Sequence, residues 1–531
     1  MSQTRLLTSA ALAVGLALGI AAPGLAEQRL LRHDEAAPGR LDPAKVSDYS
    51  ASVLAYNIYD TLVEPKPAGG VVPSLAESWS VSEDGTKYTF KLVEGVKFHS
   101  GNTLSAEDVV FSLERMVALA SGHSRLLAGI TATADDALTV TFTLPAPNAA
   151  FLSSMVRMPI VDKATVLANI QPGNHGEFGD YGEDFLSREG AGTGAYKVTA
   201  HNPQAETSLV LFDDYFGDVA EKAPTDVLIR YGVQAPTVRT LMSNNEWEVT
   251  SQWLPAEVKR ALVEGGKELV GEAGSGFFVM PLNTQRAPTD DVHVRRAISL
   301  ALDYDIMRKL VEVVPGTPGS KELHGVIPSG LFGHDASLPV PKQDLEAAKA
   351  ELAKSKYAGN IPTLEVIWVA EVPVEEKFAM LMQQNLGQIG MKVDVVKMPW
   401  ALLVDRAAKP ETTPNVTQVF TLAAYPDPDA LLGRNHSTNM GTTIKMDWAD
   451  DKVLDDFLEK GKTATDEAER LAIYKAAQEH MLNEVTNIWA FESLTTYVKQ
   501  PGISAPALDD PSQSVAVQGG NWQFRKWSMG E

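Results

Sequence analysis

The sequence predicts a mixed α/β (α+β) protein of several lobes. Short β-like runs alternate with amphipathic helical runs, with turn clusters between them and no internal repeat. Its 531 residues exceed what one ordinary core supports. With 44% hydrophobic and 21% charged residues, the chain has the composition of a folded globular protein rather than a disordered one.

From the N-terminus, Arg5 precedes the apolar run Leu6 to Ala22, and Pro23 follows it. Gly24 and Ala26 supply small residues at the −3 and −1 positions, which predicts a signal peptide over 1–26 with cleavage after Ala26. The run is short for a ~30 Å hydrocarbon core and meets a breaker at once, which argues against a membrane anchor. Residues 88–92 (YTFKL) alternate with period two behind the turn Glu83-Asp84-Gly85, which predicts a strand. At 105–116, Ser105 precedes acidic residues, and Val109, Val110 and Leu113 share one face, as in a capped helix. Trp79, Phe90, Phe98 and Phe111 read as the core of a small subdomain.

The glycines Gly190, Gly192 and Gly194 precede the strand-like Tyr196-Lys197-Val198 and so predict a tight turn in close backbone approach, not a phosphate cradle. Helical spacing covers 291–309, 344–354, 374–389 and 464–485. Arg295 and Arg296 open the first of these, where an ion pair with an acidic neighbour is expected. The β-like runs 364–369 and 392–396 flank the 374–389 helix, as in a βαβ unit.

Forty-six basic and 68 acidic residues leave a net charge of −22, which repels phosphate backbones and excludes nucleic acid as a partner. Zero cysteines excludes disulfides, thiolate catalysis and cysteine-ligated metals. No P-loop, HExxH or G-x-S-x-G is present, and the ten histidines form no pair at helical spacing. The doublets Asp213-Asp214, Asp290-Asp291 and Asp509-Asp510 are read as solvated faces. No nucleophile with a positioned base is visible, so an enzyme is not expected.

Residues 73–116 join Leu-Ala-x-Ser-Trp at 75–79, Ser-x-Asp-Gly at 82–85, Lys-Phe-His-x-Gly at 97–101 and Ala-Glu-Asp-Val-Val at 106–110. These four linked blocks are similar to the signature of the family 5 extracellular solute-binding proteins. Further landmarks follow in family order: Leu41-Asp42-Pro43, Tyr59-Asp60-Thr61-Leu62-Val63, Gly192-Thr193-Gly194-Ala195-Tyr196, Leu282-Asn283-Thr284, the 291–298 run, Ile389-Gly390-Met391-Lys392-Val393 and Pro426-Asp427-Pro428-Asp429. The resemblance implies a two-lobed periplasmic-binding-protein fold, type II, with an extra subdomain inserted in the first lobe. Mapped here, lobe I is 27–62, 192–282 and 491–531, the insertion is 63–191, and lobe II is 283–490. Chain crossings near 282 and 490 would then form the hinge.

The implied function is an exported, monomeric periplasmic protein of an ABC importer. It would capture a small polar solute between its lobes and deliver it to permease subunits at the inner membrane, without cofactor or metal. Peptide or peptide-like cargo ranks first; a nickel chelate, oligosaccharide or opine-like compound is the alternative, and a chemoreceptor, chaperone or periplasmic hydrolase ranks lower. The candidate ligand-binding residues are Asp48, Tyr49, Trp253, Trp400, Tyr425, Asp427, Arg434 and His436. Trp400, just after the strand ending near Val396, is placed where peptide-binding relatives carry a cleft tryptophan. Trp253 follows the strand-like 248–250. Those relatives hold the peptide ammonium with an aspartate three residues before the acidic residue of the D/E-P dipeptide; counting back from Asp427 reaches Ala424. The anchor is absent at that position, and Asp48 or Asp427 is the candidate replacement.

Overall fold

The computed structural model describes residues 28–38, 41–67, 69–272, 276–317, 319–370 and 372–530, together with the backbone alone at Ala401; the predicted leader lies outside this range. Three four-stranded sheets organise it. In the first, Leu30–Glu35 pairs in parallel with Asp226–Tyr231, which continues antiparallel to Glu206–Leu211 and then Tyr196–Asn202. The second runs Ser320–Lys321, Asn487–Ser493, Gly276–Pro281, Val419–Leu422, all antiparallel. The third, built within the expected insertion, runs Ala76–Val81, Lys87–Leu92, Thr139–Thr143, Thr131–Ala134.

The first and second sheets are joined by strands that stay side by side. Glu268–Glu272 pairs with Thr495–Lys499, and directly beyond, Gly276–Pro281 pairs with Asn487–Ser493. The predicted βαβ unit is present: Leu364–Val369 and Val393–Met398 are parallel, with helix Val374–Gly387 between them.

Local chemistry explains the helix starts. Asp48, Asp344 and Asp466 each accept a backbone N–H from the first turn of the helix that follows, and at Ser105 the carboxylate of Asp108 accepts from both the backbone N–H and the hydroxyl. The 291–309 segment is two helices, Val292–Ala301 and Tyr304–Lys309, because Leu302 is extended and Asp303 starts a new cap on the Ile306 N–H. Gly192 and Gly194 press on the end of helix Tyr49–Ile58: a Cβ on them would lie 2.1 Å from the Ile58 carbonyl and 2.4 Å from that of Asn57.

Some expectations need correcting. Phe90 and Phe98 pack in one cluster with Trp79 against it, whereas Phe111 packs with Tyr49, Val53 and Tyr181 in the core of the first sheet. Among the described residues Arg295 and Arg296 form no ion pair; Arg295 donates to the carbonyls of Thr289, Glu484 and Val485, and Arg296 to that of Asn483. They meet the free carbonyls where helix Glu467–Glu484 ends, a favourable place for cations. Asp291 is buried rather than solvated, accepting from Ser355 and the Lys356 N–H.

Candidate functional site

At the C-terminal end of strand Leu30–Glu35, the buried Glu35 accepts hydrogen bonds from Ser50 Oγ at 3.0 Å and Trp253 Nε1 at 2.7 Å. Trp253 is thereby pinned at one end while 54% of its surface stays exposed, the geometry of a platform. Asp48 begins the adjacent helix. Its carboxylate is accessible to solvent, yet surrounding protein desolvates it and raises its pKa, with the Glu35 charge adding to the effect. A group both wet and crowded is what a cleft wall presents.

Tyr49 behaves differently from the prediction. It is only 5% exposed, and its hydroxyl bonds to Glu272 Oε1 and to the Tyr497 hydroxyl. Burial, then the Glu272 charge, pushes its pKa far up, so it stays a neutral donor committed to the interior. Asp48, Tyr49 and Trp253 are thus gathered around Glu35, a residue the sequence analysis missed. Its only sequence signal was its place at the end of a β-like run.

Tyr425 and Asp427 are also internal. The Tyr425 hydroxyl donates to Asp429 at 2.6 Å, and Asp427, 3% exposed, pairs with Arg470 at 2.7 Å. Burial raises the Asp427 pKa and Arg470 opposes the rise. These bonds hold the 425–432 loop, so Asp427 is not an open replacement for an ammonium anchor. His436 Nδ1 accepts from the Thr438 N–H and the ring faces Asp455 and Glu459, so it stabilises its own turn. Trp400 opens helix Trp400–Arg406 and is 41% exposed. Arg434 lines a cavity of about 350 Å³ in the second sheet's body.

A further residue missed by the sequence analysis lies at the seam between these bodies. Arg157, from the inserted subdomain, is buried and donates to the Ala424 carbonyl, to the Gln518 carbonyl at 2.9 Å and to Ser52 Oγ at 3.2 Å. Gln518 N–H in turn donates to the Ala423 carbonyl at 2.9 Å. At this seam the guanidinium rests on neutral acceptors, one of them the Ala424 carbonyl, and apolar side chains of the insertion and of the second sheet's body share one core cluster. Behind it a cavity of about 510 Å³ is lined by Tyr56, Tyr59, His123 and Gln523, whose buried polar atoms Tyr56 Oη, Tyr59 Oη, His123 Nε2 and Gln523 Oε1 have no hydrogen-bond partner among the described residues. Among the described residues no group of three or more metal-ligating side chains could hold an ion, and no helix is long and apolar enough to cross a membrane.

Residues 70–442 match the model of the bacterial extracellular solute-binding proteins, family 5. The chain is 29% identical over 472 residues to di/tripeptide-binding protein 2 of Pseudomonas aeruginosa, covering 84% of this chain and 86% of that protein. Among solved structures, DppA from Helicobacter pylori in complex with the peptide STSA superposes with a TM-score of 0.76 at 24% identity, covering 94% of this chain and 98% of that one. AgaA of A. tumefaciens R10, in complex with agropinic acid, superposes with a TM-score of 0.75 at 22% identity, covering 94% and 99%. The fold is therefore the two-lobed type II binding-protein fold with its inserted subdomain.

Proposed function

Since the chain belongs to the bacterial extracellular solute-binding proteins of family 5, we propose that it captures a small polar solute in the interlobe cleft and hands it to the permease subunits of an ABC importer. It would act as a periplasmic monomer that releases its cargo unchanged, with its leader removed after Ala26. The lobes would be bounded as the resemblance implies and move about the point where the Glu268–Glu272/Thr495–Lys499 pair passes into the Gly276–Pro281/Asn487–Ser493 pair. Asp48 and Trp253 would face the solute from one side and Arg434 from the other, with Trp400 as a stacking surface at the rim. Tyr49, Tyr425, Asp427 and His436 would support these rather than touch cargo.

The observation that carries this reading is the seam itself. Arg157 and Gln518 cross it by hydrogen bonds to the Ala423 and Ala424 carbonyls, contacts that a solute can replace without stranding an ion pair. Peptide cargo ranks first because a di/tripeptide-binding protein is among the relatives. An opine-like acid is the second reading, favoured by alanine at 424 and by the agropinic-acid-bound neighbour.

A thermal-shift screen over peptides, metal chelates, oligosaccharides and opines tests the proposal. A solute that binds only the folded protein, at 100 times its dissociation constant, should add about 2.7 kcal/mol of stability. No shift from any class, or recovery of a chemically altered solute, would overturn it.

A further inference from the structure

We propose that the cavity beside Arg434 is a carboxylate subsite, in which the Arg434 guanidinium and the Trp489 indole N–H together hold one carboxylate of the cargo. The inference rests on the solute-capture reading above and names the chemical class of the solute. The Arg434 guanidinium makes no hydrogen bond and no ion pair with any described residue, and the partly buried side chain lines the cavity. The other buried arginines all have partners. Arg115 pairs with Asp42 and Arg470 with Asp427, while Arg157 and Arg295 meet several carbonyls. In a chain with 68 acidic against 46 basic residues, a guanidinium left without a counterion is a site that expects one.

Trp489 supplies the second, independent sign. It is 6% exposed, lines the same cavity, and its Nε1 is buried without an acceptor among the described residues. An indole nitrogen can only donate, so the group it awaits must accept. Edge-on contact with Phe277 at 5.0 Å fixes the ring. The rest of the wall is mixed, with Val279, Ile444 and Met446 beside the neutral polar side chains of Asn435, Thr443 and Asn487, and among the described residues it holds no carboxylate to compete for Arg434. Asp447, which accepts from the lining Asn487, is already paired with Lys445 at 2.9 Å and offers Arg434 no counterion. Arg125 adds positive potential from the inserted subdomain: its Nη1 donates to Asn439 Oδ1 at 3.2 Å, and Asn439 donates to the Arg434 carbonyl.

A planar fork plus one further N–H matches the two oxygens of a carboxylate. A phosphate, with nearly twice the charge, would meet a single unpaired cation here. The cavity adjoins Val419–Leu422, the strand that leads into the Ala423 and Ala424 seam, so a carboxylate docked on Arg434 lies at the cleft's edge.

The test uses the purified mature protein and four probes at constant ionic strength: acetate, succinate, the neutral isostere acetamide, and sulfate. Acetate and succinate should raise the melting midpoint over a chloride control, and acetamide should not. Arg434→Gln should abolish that rise while leaving the midpoint in chloride equal to or above that of the wild type, because an unpaired charge has been removed. Trp489→Phe should fold and show at most half the rise. The proposal is overturned if carboxylates give no specific shift, if acetamide matches acetate, if sulfate alone stabilises, or if Arg434→Gln lowers the chloride midpoint and keeps the carboxylate shift. A carboxylate shift with no hit in the solute screen would fault the capture reading and leave this subsite standing; hits among neutral solutes alone would do the reverse.

Discussion

Arg115 and Arg157 both leave the inserted subdomain and bury a guanidinium against another part of the chain, with different partners. Arg115 meets Asp42 in a two-pronged ion pair at 2.8 and 2.7 Å, each residue about 1% exposed, and adds the Tyr181 carbonyl. Arg157 meets only carbonyls and a hydroxyl. Opposite charges in a low-dielectric interior are hard to separate, because each would be left unpaired. Neutral acceptors can be exchanged for solute or water at small cost. Arg115 therefore fastens the insertion through charge, whereas Arg157 joins Ser52, Gln518 and the Ala424 carbonyl through neutral acceptors, which are the easier bonds to exchange.

The sharpest way to break this comparison is Arg115→Met, which strands the Asp42 carboxylate. It should cost about 3–5 kcal/mol in urea unfolding, and a loss below that of Arg157→Met would refute the distinction between the two joints. Next in size is a pH effect confined to the seam. Burial, with the charges of Arg157 and Arg125, depresses the His123 pKa to about 3, so the ring is neutral in the folded protein. A depressed native pKa means that its stabilising contribution is complete above the unfolded value near 6.5 and is lost as pH falls toward 3. His123→Phe should flatten the decline of stability over that window by on the order of 2 kcal/mol, as read by thermal melts from pH 7 to pH 3.5. Unchanged curvature would mean that the seam does not sense protons through this residue.

Arg157→Met leaves the Ala424 and Gln518 carbonyls without their donor and should cost about 1–2 kcal/mol. It should also weaken the best solute and raise the radius of gyration of the free protein in X-ray scattering. An unaltered radius and affinity would make the residue ordinary packing. The smallest stability effect is expected at Trp400→Ala, under about 1 kcal/mol for a side chain so exposed, with solute affinity reduced by roughly two- to tenfold if the ring stacks on cargo. A variant that melts early yet binds as before would place Trp400 in the packing instead.

The readings that came through intact share a local cause. A cap needs an acidic or hydroxyl side chain within three residues of the amide it serves, as at Ser105 and Asp344, and alternation or helical spacing is visible within one element. The family blocks were legible for the same reason, being short runs such as 75–79 and 97–101. The candidate site was legible only in part. Asp48, Trp253 and Arg434 came to line surfaces accessible to solvent, whereas Tyr49, Tyr425 and Asp427 were claimed by buried partners.

The sequence by itself determined the class of fold, the starts of the main helices, the βαβ unit and a close backbone approach at the 190–194 glycines, while the structure supplied its partner, helix Tyr49–Ile58. Tertiary structure alone decided which polar and charged groups are matched: Trp253 with Glu35 across 218 positions, Asp427 with Arg470 across 43, Arg115 with Asp42 across 73, and the Arg434 guanidinium with none of the described residues. The physical reason is that ion pairing and desolvation depend on distances through space, set by how the sheets are stacked, and no local periodicity encodes them.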